Sequence, residues 1–140
     1  MTEPAAAFRH PVRVYWEDTD AGGVVFYANY LKYFERARTE WLRAKGHSQE
    51  QMRTVTGAGF IVTDTSVRYL RPARLDDLLE VTVVVTHAGQ ASLQVTQQAW
   101  RTDDGRPVDL LAQGTIRIGC VELGSFKPRR IPTDLLHSLR

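Results

Sequence analysis

Apolar positions alternate near the start of the chain. Val12, Val14 and Trp16 share one face at period two and Arg13 and Tyr15 the other, which predicts a strand over 8–17. The period then changes. Tyr30, Phe34, Ala37 and Trp41 follow one another at spacings of four, three and four, with Tyr33 widening the stripe and Lys32, Arg36 and Arg43 opposite it. This predicts a helix from Ala28 to about Lys45, stopped by Gly46. Ser48 is placed to cap a second, short helix over Gln49 to Val55, broken by Gly57 and Gly59. Beyond that point the pattern is strand-like. Phe60 to Leu70 is rich in Val, Thr, Ile and Tyr, and Pro72 with Asp76-Asp77 marks a bend. Leu78 to Thr86 holds the run Val81, Val83, Val84 and Val85, suited to a strand buried on both faces. His87 to Gln90 reads as a turn, Ala91 to Arg101 as a strand, and Asp103-Asp104-Gly105 as a hairpin signal. Val108 to Val121 is the last strand, followed by a basic loop over 122–131 and a helical turn over Thr133 to Leu139. Residues 1–7 read as a frayed terminus.

One amphipathic helix followed by sequential strands has only one way to bury its stripe: against the sheet those strands make. The expected class is α+β, an antiparallel sheet of about five strands wrapped around one long helix. Its 140 residues fit a single domain, 1–140. An open sheet of this kind has edges, and the apolar run Phe60 to Val67 is the stretch able to pair with a second copy. Composition adds little to this picture. A formal net charge of +2 gives no reason to expect nucleic acid. Cys120 is the only cysteine, so an internal disulfide is excluded and a buried, inert thiol is expected. No stretch approaches the ~20 apolar residues of a membrane helix, and the first residues make a poor signal peptide. A cytoplasmic location is the expectation.

The candidate chemistry lies between the first strand and the helix. Asp18 and Asp20 are followed by Gly22 and Gly23, and then by the helix start, whose first N–H groups have no partner within the helix. Two readings stand side by side. Asp-Thr-Asp-Ala-Gly-Gly is ordinary turn chemistry. A carboxylate beside free N–H groups also suits acyl transfer, the acid attacking or activating water while the N–H groups hold the oxyanion. The pair lacks the further carboxylates a Mg²⁺ or Ca²⁺ site needs. His10, His47, His87 and His137 are scattered without metal-ligand spacing, and neither a nucleophile elbow nor a phosphate-binding loop occurs. No metal and no separate cofactor is expected. Glu35 and Arg38, three apart on the helix, are set to form a surface ion pair.

The segment Glu17-Asp18-Thr19-Asp20-Ala21-Gly22-Gly23-Val24-Val25-Phe26-Tyr27, then Asn29-Tyr30 and Phe34-Glu35-Arg36-Ala37-Arg38, resembles the signature of hotdog-fold acyl-CoA thioesterases. It is closest to the 4-hydroxybenzoyl-CoA class and its Tol-Pal-associated branch, and Tyr69-Leu70-Arg71-Pro72-Ala73-Arg74-Leu75-Asp76-Asp77 is similar to the same branch. The resemblance implies a hotdog fold, a homodimer or homotetramer with the site between subunits, and hydrolysis of a short-chain or aromatic acyl-CoA. Coenzyme A is then part of the substrate. The resemblance makes Asp20 the catalytic carboxylate, nucleophile or base, and gives the oxyanion contact to the backbone N–H of Tyr27. Tyr15, Gly23, Val24 and Asn29 line the substrate in this scheme. Arg71, Arg74 and His87, with Lys127, Arg129 and Arg130 in reserve, are the cations available to coenzyme A phosphates. The Tol-Pal-associated branch carries His where this chain has Tyr27, so no His-assisted step is expected. The second reading is a hotdog dimer that binds acyl chains or acyl carrier protein without turnover.

Overall fold

The computed structural model describes residues 7–139. Apart from Ala7, the frayed terminus and the leader reading of the first residues lie outside that range. Five strands, β1 (Phe8–Arg13), β2 (Ala58–Tyr69), β3 (Leu78–Ala88), β4 (Ser92–Asp103) and β5 (Arg106–Glu122), form one sheet in the order β1-β3-β4-β5-β2, antiparallel throughout. Helix α1 (Asn29–Ala44) packs across β1, β3 and β4. Helices α2 (Gln49–Thr56) and α3 (Thr133–Leu139) are short.

The stripe that predicted α1 is the stripe it buries. Tyr30, Tyr33, Phe34, Ala37 and Trp41 are all buried, against a sheet face that includes Val81, Val83, Val95 and Ile116. Each large side chain contributes about 1.5–3 kcal/mol by leaving water. The ring of Phe34 crosses β5 where that strand has no side chain. A Cβ at Gly114 would come within 3.1 Å of Phe34 Cε2 and 3.3 Å of Val67 Cγ2, so the close approach of helix and sheet requires glycine there. Helix α1 ends in a Schellman arrangement: His47 N–H donates to the Leu42 carbonyl and Gly46 N–H to that of Arg43, both at 2.9 Å. Helix α2 opens as expected, with the Ser48 hydroxyl accepting from Gln51 N–H. Asp104 and Gly105, both at positive φ, make the tight β4–β5 turn.

Four details depart from the sequence pattern. Strand β1 stops at Arg13 instead of running to 17, and Trp16–Asp18 forms a single 3₁₀ turn. Trp16 is therefore 79% exposed and does not share the buried face of Val12 and Val14. In β3, Leu79, Val81, Thr82 and Val83 are buried, while Val84 and Val85 are only partly so. Among the described residues β1 pairs no further along β3 than Val83, so the rest of the strand lies beyond that neighbour. His87 and Ala88 belong to β3, paired with Gln94 and Leu93, which narrows the turn to the residues after them. Finally, Glu35 and Arg38 do not pair. The Glu35 carboxylate accepts from the Thr39 hydroxyl at 3.1 Å, and Arg38 turns inward to the side chain of Gln97 at 2.9 Å.

β2 is an outer strand of the sheet, bonded only to β5, with residues 61–66 exposed. Cys120 is buried, and burial pushes its thiol up, although Arg129 opposes the shift. No helix among the described residues is long and apolar enough to cross a membrane.

Candidate active site

The loop between β1 and α1 is built on backbone hydrogen bonds to the 72–77 bend. Val14 N–H donates to the Asp77 carbonyl, Asp76 N–H to that of Val14, and Val25 N–H to that of Ala73. Within the loop, Asp20 N–H donates to the Val24 carbonyl, and Gly23 N–H returns to the Asp20 carbonyl at 3.0 Å. Gly23 closes this turn at φ +80°, a conformation that an L side chain resists. The Asp20 carboxylate takes one bond, from Gly22 N–H at 2.8 Å to Oδ1. This is the Asx turn of the plainer reading, and it leaves Oδ2 without a partner among the described residues. Asp20 is exposed.

Asp18 is different in kind. It is buried, and its two oxygens accept from Asn29 Nδ2 at 2.7 Å and from Tyr15 N–H at 2.8 Å. Its carbonyl accepts from Phe26 N–H at 2.9 Å. One residue thus ties the end of β1, the loop and the first residue of α1 together. This explains why β1 stops short: the chain bends to deliver Tyr15 N–H to a carboxylate that no period-two pattern reveals. It also fixes the head of the helix. Asn29 N–H bonds the Phe26 carbonyl and Tyr30 N–H that of Tyr27, while the N–H groups of Tyr27 and Ala28 have no acceptor among the described residues. The free donors expected at the helix start are therefore those of residues 27 and 28.

An aromatic wall flanks these donors. Tyr27 meets Tyr69 edge-on at 5.9 Å between ring centroids, and Tyr30 meets Tyr69 at 5.6 Å. With Val25, Leu70, Arg71 and Pro72 they line an open groove. Among the described residues no group of three or more His, Cys, Asp or Glu side chains is arranged to hold a metal.

The sequence profile of the Thioesterase-like superfamily matches residues 14–139. The chain belongs to that superfamily. Two relatives cover it almost end to end. The acyl-CoA thioesterase YbgC of Haemophilus influenzae is 40% identical over 91% of this chain and 90% of its own length. The acyl-CoA thioester hydrolase YbgC of Escherichia coli O6:H1 is 42% identical over 92% of each. Slr0204, a 1,4-dihydroxy-2-naphthoyl-CoA thioesterase from Synechocystis, superposes with a TM-score of 0.85 at 22% identity over 96% of each chain, a likeness of fold. The protein is an enzyme of the hotdog thioesterase family.

In this thioesterase-like chain the sequence-assigned residues fall into two groups. Asp20, Gly23, Val24, Tyr27, Arg71 and Arg74 gather around one loop. Val24 bridges to Arg74, and Arg71 stands in the groove with Tyr27, ion-paired to Asp109 at 3.1 Å. Tyr15 is exposed beside them, its N–H spent on Asp18. Asn29 is buried with its amide bonded to Asp18, so its side chain holds the loop. His87 stands in the second group. It lies near the far end of β3, whose first residue adjoins the loop, and eleven residues of strand span about 36 Å. Within one chain it stands away from Asp20. The reserve cations are also remote: Arg129 bonds the Thr56 carbonyl and Arg130 the Gln90 side chain, both beyond the start of β2. The sequence reading missed Tyr69 and the Asp18–Asn29 link. An Asn at the first residue of α1 was the available hint.

Tyr33 is fully buried beside this link, and its hydroxyl finds no hydrogen bond of good geometry. Burial raises its phenol well above the ordinary value, and the neighbouring Asp18 carboxylate adds to the rise. The unfolded chain releases that proton near pH ~10 and the folded chain only higher. Stability is thus fully present below about pH 10 and is lost as pH climbs toward the raised value. Urea midpoints measured from pH 8 to 11 will fall above 10, and the Tyr33→Phe variant will fall less steeply. An identical slope in that variant would exclude Tyr33 as a source.

Proposed function

We propose that the protein hydrolyses acyl-CoA thioesters, with Asp20 as the reacting carboxylate and the free N–H of Tyr27 as the oxyanion donor. The observation that supports this most is the pair of unpaired amides at the head of α1, on the same braced loop as a carboxylate with an unengaged oxygen. Positive charge from the helix end and two free donors favour the negative oxygen that forms when a thioester carbonyl is attacked. Two routes share this geometry. Asp20 attacks the carbonyl carbon and forms a mixed anhydride that water then opens, or Asp20 takes a proton from a water that attacks directly. In both, the carbon–sulfur bond breaks, coenzyme A leaves as the thiol, and the acyl group departs as a carboxylate.

A short-chain or aromatic acyl group fits the reading, since the open groove beside Tyr27 is walled by Tyr30 and Tyr69. Pairing of two β2 edges would cover the exposed loop and supply the second wall, so the homodimer is part of the proposal. The test is release of free thiol from a panel of acyl-CoA esters, from acetyl to benzoyl, followed with a thiol reagent. Saturable turnover on at least one ester is the expected result. Binding without release across the panel would make the protein a holder of acyl groups instead.

A further inference from the structure

A helix start ordinarily carries a Ser, Thr, Asp or Asn whose side chain accepts from the free N–H groups. The head of α1 is held differently. Position 28 is alanine, at helical φ −67° and ψ −19°, and no side chain caps the helix. An asparagine does stand one position later, but its amide is spent elsewhere: Asn29 is buried and donates from Nδ2 to Asp18 Oδ1 at 2.7 Å. Asn29 N–H closes a turn on the Phe26 carbonyl at 2.8 Å, and Phe26 N–H donates to the Asp18 carbonyl at 2.9 Å. Both ends of the turn 26–29 are thus pinned to one residue. The N–H groups without an acceptor among the described residues, those of Tyr27 and Ala28, belong to the two residues between the pins.

The pin at Phe26 is main chain, whereas the pin at Asn29 is a side chain. Asp18 is itself anchored, since its Oδ2 takes Tyr15 N–H at 2.8 Å. Asp18 and Asn29 are both buried, so a lost bond leaves polar atoms unsatisfied and the turn must move to relieve them. Oxyanion donors work only when aimed at the place where charge develops.

We infer that Asn29 is a positioning residue for thioester hydrolysis: acting through Asp18, it aims the free N–H groups of Tyr27 and Ala28 at the oxyanion. The inference rests on the proposed role of those amides, and it needs no contact between Asn29 and substrate.

The test is thiol release by variants whose urea midpoints show them folded under the assay conditions. Asn29→Ser keeps a polar residue at the helix start but no longer reaches Asp18. Its kcat will fall at least about tenfold while KM stays within about threefold, because the donors act on charge that appears only in the transition state. Asp18→Asn sets an amide NH₂ against a neighbouring donor and will show the same split. Joining Asp18→Asn to Asn29→Asp restores complementarity: the oxygen at position 18 still takes Tyr15 N–H, and the amide there donates to the carboxylate at position 29. This double variant will recover kcat to within about threefold of the wild type. A link that served the fold alone would lower the urea midpoint and leave kcat of the folded protein unchanged. Wild-type kcat in a folded Asn29→Ser protein therefore overturns the inference. So does a folded double variant with less than about a tenth of wild-type kcat, a comparison that needs neither single variant to fold. A wild type that releases no thiol from any ester would remove hydrolysis itself, and this inference with it.

Discussion

Asp20→Asn will lower thioester turnover by about 10³-fold or more, as loss of a positioned base or nucleophile does, while leaving the fold intact. The two halves of this expectation have separate grounds. The fold is spared because Asp20 is exposed and its one structural bond, from Gly22 N–H, can be accepted equally by an asparagine oxygen. The change in stability should stay within about 0.5 kcal/mol, as at other surface positions. Turnover falls because a neutral amide neither attacks a thioester nor takes a proton from water. Substrate binding should persist, so KM will move much less than kcat. The measurement is steady-state thiol release alongside a urea midpoint. Wild-type-like turnover in this variant would remove Asp20 from the mechanism.

Phe34→Ala will have the largest effect on stability, about 3–5 kcal/mol, the usual cost of deleting a fully buried aromatic ring. The ring sits mid-helix with no exposed surface and faces the one position of β5 without a side chain. Gly114 has no side chain to move into the space it leaves. The partner change tests the cause. In the wild type, Gly114→Ala must crowd Phe34, Val67 and Ile116, at 3.1, 3.3 and 3.4 Å, and should cost about 1–3 kcal/mol. In the Phe34→Ala background the same methyl group enters vacated space, so its cost should shrink by at least about half and leave a clear coupling energy. Strict additivity in urea denaturation would show that the ring is not what occupies the space over Gly114.

What the sequence made legible follows the range of the forces involved. Helix α1, the Ser48 cap, the Asp104-Gly105 turn and the antiparallel strands are set by neighbours within a few positions, and the pattern of residues displays them. The match to known signatures pointed to the loop of Asp20 and Tyr27. What stayed hidden depends on partners far along the chain. The bond from Asn29, eleven residues on, holds Asp18 where its other oxygen takes Tyr15 N–H, which ends β1 early and turns Trp16 outward. Gln97, from the sheet, draws Arg38 away from Glu35, although helical spacing alone favours that pair. The direction of β3, which carries His87 away from Asp20 within one chain, is likewise absent from the local pattern.

The order of strands has a consequence for how the protein comes together. β3, β4 and β5 follow one another in sequence and pair through short connections, whereas β1 must bring Phe8 to Val83 and β2 must bring Ala58 to Glu122. Closing those long loops is entropically slow. The central meander is therefore expected to acquire persistent structure before the flanking strands dock. Deuterium will enter the backbone amides in the reverse sequence: sooner along β1, an outer strand of the sheet, and last in β4, which is hydrogen-bonded on both sides.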